Sequence, residues 1–154
     1  MTTIVVLLSE DMKRTSKAQL TGQIPAADAW HVISKGGDVH RWFGAAITAC
    51  EHNGNGVGAR RSCVMADGGK LEEKIIAVDD NLRRFVHAGN ERPLPASNVI
   101  ATIVVNESGN NAATLQWSAE CECEEQHSRM MDQTLSGLYE QGIRSLETYC
   151  RQAA

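Results

Sequence analysis

Residues 115–124 read LQWSAECECE, and residues 127–151 read HSRMMDQTLSGLYEQGIRSLETYCR. In the first segment Leu115, Trp117, Ala119, Cys121 and Cys123 alternate with Gln116, Glu120, Glu122 and Glu124, the pattern of a strand with one buried and one wet face. In the second, Met131, Leu135, Leu138, Gly142, Leu146 and Tyr149 recur at spacings of three and four, which predicts one long amphipathic helix of about six turns. Such a stripe must be buried, and the apolar face of a sheet is the surface available to it. The two segments together predict an α+β domain in which strands grip a C-terminal helix.

Upstream, turn residues punctuate the chain. Breaks fall at residues 53–58, at Asp67-Gly68-Gly69, at Asp79-Asp80-Asn81 and at Ser108-Gly109-Asn110-Asn111, with RPLPAS between Gly89 and Asn98. They leave six strands, mostly joined as hairpins, in an antiparallel meander. Ahead of these, KAQLTGQI (residues 17–24) alternates as a strand. Pro25 opens a helix with Ala26, Trp30 and Ile33 on one side, Gly36-Gly37 stops it, and Asp38 can cap a second short helix, DVHRWF. The predicted order is β-α-α-β6-α, about seven strands in all. The Gly-rich EHNGNGVGARR at residues 51–61 leads into a strand rather than a helix, so it reads as a turn and not as a phosphate cradle.

The 154 residues suit one domain, with 42% hydrophobic and 22% charged residues. A net charge of −4 argues against a nucleic-acid partner. The expected division is an N-terminal extension over residues 1–14 and a ligand-binding domain over 15–152. The apolar IVVLL at residues 4–8 is too short for a signal core or a membrane span. It is expected as an added edge strand or as a contact with a second subunit in a homodimer. Five cysteines without framework spacing point to reduced thiols and a cytoplasmic protein. Cys121-x-Cys123 with His127 lacks a second ligand pair, so no metal is expected, and no cofactor motif is present.

IPAADAWHVISKGGDVHRW, GNGVGARRSCVMADGGKLEEKIIAVDD, RPLPASNVIATIVV and LQWSAE, in that order, resemble the START-like SRPBCC superfamily in its polyketide cyclase/dehydrase-type branch. The resemblance spans roughly residues 15 to 150. It implies the helix-grip fold, with an elongated cavity between sheet and helix that holds lipids, hormones, polyketides or other apolar small molecules. It also implies several trades: some relatives catalyse cyclisation or dehydration, others carry or sense a ligand, and one branch assists chaperones.

Strand alternation names the inward residues independently. Ala59, Arg61, Cys63 and Met65 share a face, as do Leu71, Glu73, Ile75 and Ala77. A three-residue loop at 66–68 pairs Met65 with Gly69 and so sets Arg61 opposite Glu73. The resemblance also implies Arg and Glu at these positions. The pair satisfies two buried charges, and its guanidinium can also orient a ligand's carbonyl or carboxylate. Phe85 and His87 share a face of the fifth strand, and His87 is a candidate general base. Trp42 and Trp117 are expected near the cavity, with Met131, Leu135 and Tyr139 facing it from the helix. The leading expectation is binding of an apolar or aromatic oxygen-bearing small molecule. The alternatives are a cyclase or dehydratase-like enzyme using His87 and Arg61, and a chaperone-assisting interaction module.

Overall fold

The computed structural model describes residues 11–92 and 94–153. β1 (Asp11–Gly22) leads into α1 (Ala26–Ser34) and the four-residue α2 (Val39–Trp42). Six strands follow: β2 (Ile47–His52), β3 (Arg60–Met65), β4 (Lys70–Asp79), β5 (Arg84–Arg92), β6 (Ser97–Glu107) and β7 (Ala113–Glu124). The long helix α3 (Ser128–Ala153) closes the chain. The strands form one antiparallel sheet in the order β1-β7-β6-β5-β4-β3-β2. The meander and the gripped helix are those expected.

Two boundaries differ. β1 begins at Asp11, six residues before the alternating KAQLTGQI, and pairs with β7 from Asp11 opposite Glu124 to Gly22 opposite Ala113. The residues DMKRTS lack apolar alternation, but β7 is long and its free edge offers them backbone partners. α3 has 26 residues, about 39 Å at 1.5 Å per residue. The IVVLL run at 4–8 lies outside the described residues.

α3 buries Met131, Leu135, Tyr139, Ile143, Leu146 and Cys150 along one stripe, against β1 and β7. It sits tightly at Gly142, where a Cβ would lie 2.5 Å from Trp117 Cζ3 and 2.9 Å from Phe43 Cε2. Only a glycine lets the helix settle on those two rings.

The cysteines depart from expectation. Cys50 and Cys63 face each other across β2 and β3, with Cα atoms 4.1 Å apart, and are joined in a disulfide. The reason is register. Asn53 N donates to Arg60 O at 3.1 Å and closes the hairpin, and counting back sets Cys50 opposite Cys63 at a close cross-strand position. Cys121, Cys123 and Cys150 are in no disulfide and lie buried in the core. Among the described residues no helix is long and apolar enough to cross a membrane. No group of three or more His, Cys, Asp or Glu is placed among them to hold a metal ion.

Candidate functional site

The tight turn after β3, with Met65 N donating to Gly69 O at 2.8 Å, fixes the register that brings Arg61 opposite Glu73. β5 then sets His87 opposite Ile75 and Gly89 opposite Glu73. A side chain at Gly89 would collide with the backbone of Glu72 and Glu73, so the bare position leaves Glu73 its place. Inward alternation therefore gathers a guanidinium, a carboxylate and an imidazole on three adjacent strands, all buried.

The three groups are bonded in a chain. Arg61 Nε donates to Glu73 Oε1 at 2.7 Å, and Arg61 Nη1 donates to the carbonyl of Gly36 at 2.6 Å. The guanidinium also lies over the ring of Phe85, 5.7 Å from its centroid. Glu73 Oε2 sits 2.6 Å from His87 Nδ1. Burial alone would raise the Glu73 carboxyl, but the Arg61 charge and the contacts with His87 and Arg61 outweigh it and hold the group at about 2. Glu73 is therefore ionised at neutral pH and can only accept hydrogen bonds, which places a proton on His87 Nδ1. In the neutral ring Nε2 is then a lone-pair acceptor. Nε2 is buried and has no hydrogen-bond partner among the described residues, and the same holds for Trp117 Nε1, a donor. Both residues line one cavity.

That cavity lies between the sheet and the α2 and α3 helices. Trp42, Phe43, Arg61, Glu73, Phe85, His87 and Trp117 are among its wall residues, and Leu138 is the contribution of α3. Its volume is about 30 Å³, room for one or two waters. The elongated cavity implied by the resemblance is thus largely filled. Aromatic rings fill it: Trp117 stacks on Tyr139 with centroids 4.6 Å apart, and Trp42 and Phe43 lie 6.0 and 6.2 Å from Trp117. Ser145 Oγ on α3 donates to the Trp42 carbonyl and ties the end of α2 to the helix.

Of the candidate residues, Trp42, Arg61, Glu73, Phe85, His87 and Trp117 come together on this wall. Met131 and Leu135 do not. Both are fully buried near the start of α3 and pack in the core, while Tyr139 stands behind Trp117. The helix stripe is wider than the cavity, and its Leu138 edge rather than its centre faces the space. Sequence reasoning missed Gly36, whose carbonyl holds Arg61. Its φ of +72° favours glycine, and a Cβ there would lie 2.5 Å from Ile75 Cδ1. The Gly36-Gly37 pair was the available signal, but it reads equally as a helix stop.

A sheet of seven antiparallel strands closed on a C-terminal helix, with a polar cluster on the wall of the enclosed cavity, defines the helix-grip class of small-molecule-binding folds. The chain belongs to the polyketide cyclase / dehydrase and lipid transport family, whose model matches residues 14–151. Among solved structures it is similar to norcoclaurine synthase from Thalictrum flavum in complex with dopamine and hydroxybenzaldehyde. The TM-score is 0.78 at 18% identity, covering 94% of this chain and 90% of that one. The protein XoxI from Bacillus cereus gives a TM-score of 0.78 at 20% identity over 88% of this chain and 94% of its own. A Thermobifida fusca protein solved by NMR gives 0.76 at 25% identity, covering 89% and 93%. No curated protein matches the sequence.

Proposed function

We propose that the protein binds a small apolar or aromatic molecule carrying a hydroxyl or similar oxygen function, with that oxygen placed between His87 and Trp117. One observation carries the reading: two buried polar atoms on the same cavity wall, His87 Nε2 and Trp117 Nε1, lack partners among the described residues. Buried polar groups are almost always paired, and an orphan costs roughly 1–3 kcal/mol. One is an acceptor and the other a donor, and a single hydroxyl can satisfy both. Arg61 acts one step back. Its Nε and Nη1 are engaged with Glu73 and Gly36, so it holds Glu73, and Glu73 in turn holds the imidazole. Since the cavity takes only one or two waters as it stands, binding requires the Trp42 side of the wall to give way. The fold relative crystallised with dopamine and hydroxybenzaldehyde, both hydroxylated aromatics, is consistent with this ligand class.

A second reading rests on the same carboxylate–imidazole pair. A histidine oriented at Nδ1 by an ionised carboxylate and open at Nε2 is equipped to take a proton from a bound hydroxyl or an acidic C–H. The test is native mass spectrometry for a retained molecule, followed by titration of the protein with a series of phenols while tryptophan fluorescence is read. His87→Phe should weaken phenol binding about tenfold or more and leave benzene-type analogues without the hydroxyl unaffected. Equal loss for both series, or none, refutes the placement of the oxygen at His87.

A further inference from the structure

Beside the cavity, and outside it, lies a second hollow of about 340 Å³. It sits between the end of α1, α2, the turn after β2 and the last turns of α3. Its wall carries Lys35, Arg41, His52 and Tyr149, and it shares Trp42 and Gly37 with the inner cavity. The two spaces are therefore separated by one indole and one residue that has no side chain. At Gly37 a Cβ would stand 2.8 Å from His52 Nε2, so the His52 ring lies directly over that bare position.

The charges in the outer hollow are not balanced. Lys35 and Arg41 are exposed, and neither side chain has a hydrogen bond or ion pair among the described residues. Among the described residues the single carboxylate on this wall, Asp38, is turned to His52, with Oδ1 at 3.7 Å from Nε2. Asp38 also holds a left-handed backbone conformation, φ 56°, which costs a non-glycine residue energy and bends the chain so that α2 starts beside the hollow. A largely apolar inner space set behind Trp42 and Gly37, beside an outer one whose two cations have no partner among the described residues, matches a ligand that is itself two-part.

We infer that the outer hollow is the seat of an anionic head group, a carboxylate, sulfate or phosphate, on a ligand whose apolar body passes Trp42 and Gly37 into the inner cavity. The inference rests on the binding proposed above and narrows its ligand class to acidic amphiphiles. Lys35 and Arg41 supply the attraction, Arg41 as a flat fork and Lys35 as a point charge. Tyr149 adds a phenol as a neutral donor. Because both cations are open to water, their effect should be modest and sensitive to salt.

The test uses two fluorescent probes of the same aromatic body, neutral phenylnaphthylamine and anionic anilinonaphthalene sulfonate. The wild-type protein should bind the sulfonate about tenfold more tightly than the neutral probe at low salt, the size expected of two exposed charge contacts. That preference should shrink as salt is raised. In Lys35→Gln/Arg41→Gln the preference should vanish while phenylnaphthylamine affinity and the circular dichroism spectrum stay as they were. Phenylnaphthylamine binding with no preference for the sulfonate overturns the head-group seat alone, as does a preference that survives the double substitution. Failure of both probes to bind overturns the cavity reading and this inference with it.

Discussion

Replacing Glu73 by Gln removes the negative charge that joins Arg61 to His87 and leaves their geometry otherwise open to form. The carboxyl stands at about 2 in the fold, against 4.5 for the free side chain. That difference corresponds to about 3 kcal/mol of stabilisation of the ionised form. In the unfolded chain Glu73 takes up its proton near 4.5, and in the folded chain only near 2, so between these values the unfolded state holds more protons. Stability from this group is therefore complete above about pH 5 and is lost as pH falls from there towards 2. At neutral pH, Glu73→Gln strands a buried guanidinium and should cost roughly 3–5 kcal/mol. Arg61→Met/Glu73→Leu removes both charges and should cost less, the residue being the unpaired Nδ1 of His87 at roughly 1–3 kcal/mol. Urea unfolding followed by tryptophan fluorescence at several values of pH between 7 and 3 gives all three numbers. A Glu73→Gln cost below about 1 kcal/mol, a double variant less stable than the single one, or an acid profile identical in wild type and Glu73→Gln would refute the reasoning.

The two glycines of α3 should part company. A Cβ at Gly137 meets nothing within 4 Å, so Gly137→Ala should raise stability by about 1 kcal/mol. At Gly142 the same atom meets Trp117 and Phe43, and Gly142→Ala should lower stability by about 1–3 kcal/mol in the same urea titrations; a gain there would show that α3 has room to lift. The Cys50–Cys63 bond joins residues 13 apart in sequence, and its reduction should cost about 2–3 kcal/mol. Melts with and without reductant, beside Cys50→Ala/Cys63→Ala, measure it, and an unchanged midpoint would show that the thiols are unpaired in solution.

The part of the site legible in the sequence was the part written in strand periodicity. Arg61, Glu73 and His87 each sit on an alternating strand, and one countable turn, Met65 to Gly69, was enough to pair the first two. Everything that depended on how far the helix and loops settle was hidden. Leu138 rather than Met131 or Leu135 faces the cavity because the rotation of α3 is set by Gly142 landing on Trp117, a contact between distant residues. The size of the cavity follows from four rings meeting, which no single segment announces. The Cys50–Cys63 pair was hidden for a related reason: its register depends on the irregular turn at 53–59, whose length does not by itself state which residues close it.

The pairing of β1 with β7 bears on how the chain assembles. Every other strand pairs with its sequence neighbour and can zip hairpin by hairpin, whereas residues 23–112 separate β1 from its partner strand. At a synthesis rate of about 5–20 residues per second, β1 waits roughly 5–20 seconds on the ribosome before β7 exists. During that wait the inward face that carries Ala18 and Leu20 has neither its partner strand β7 nor α3 to cover it, and closing so long a loop is slow even in the finished chain. Pulse-labelled hydrogen exchange during refolding should therefore find the amides of β1 protected last, after those of β3 to β6. Early protection of β1 would mean that the sheet nucleates at its closing seam instead. In that case β1 would be a template for the rest, rather than the piece that waits for it.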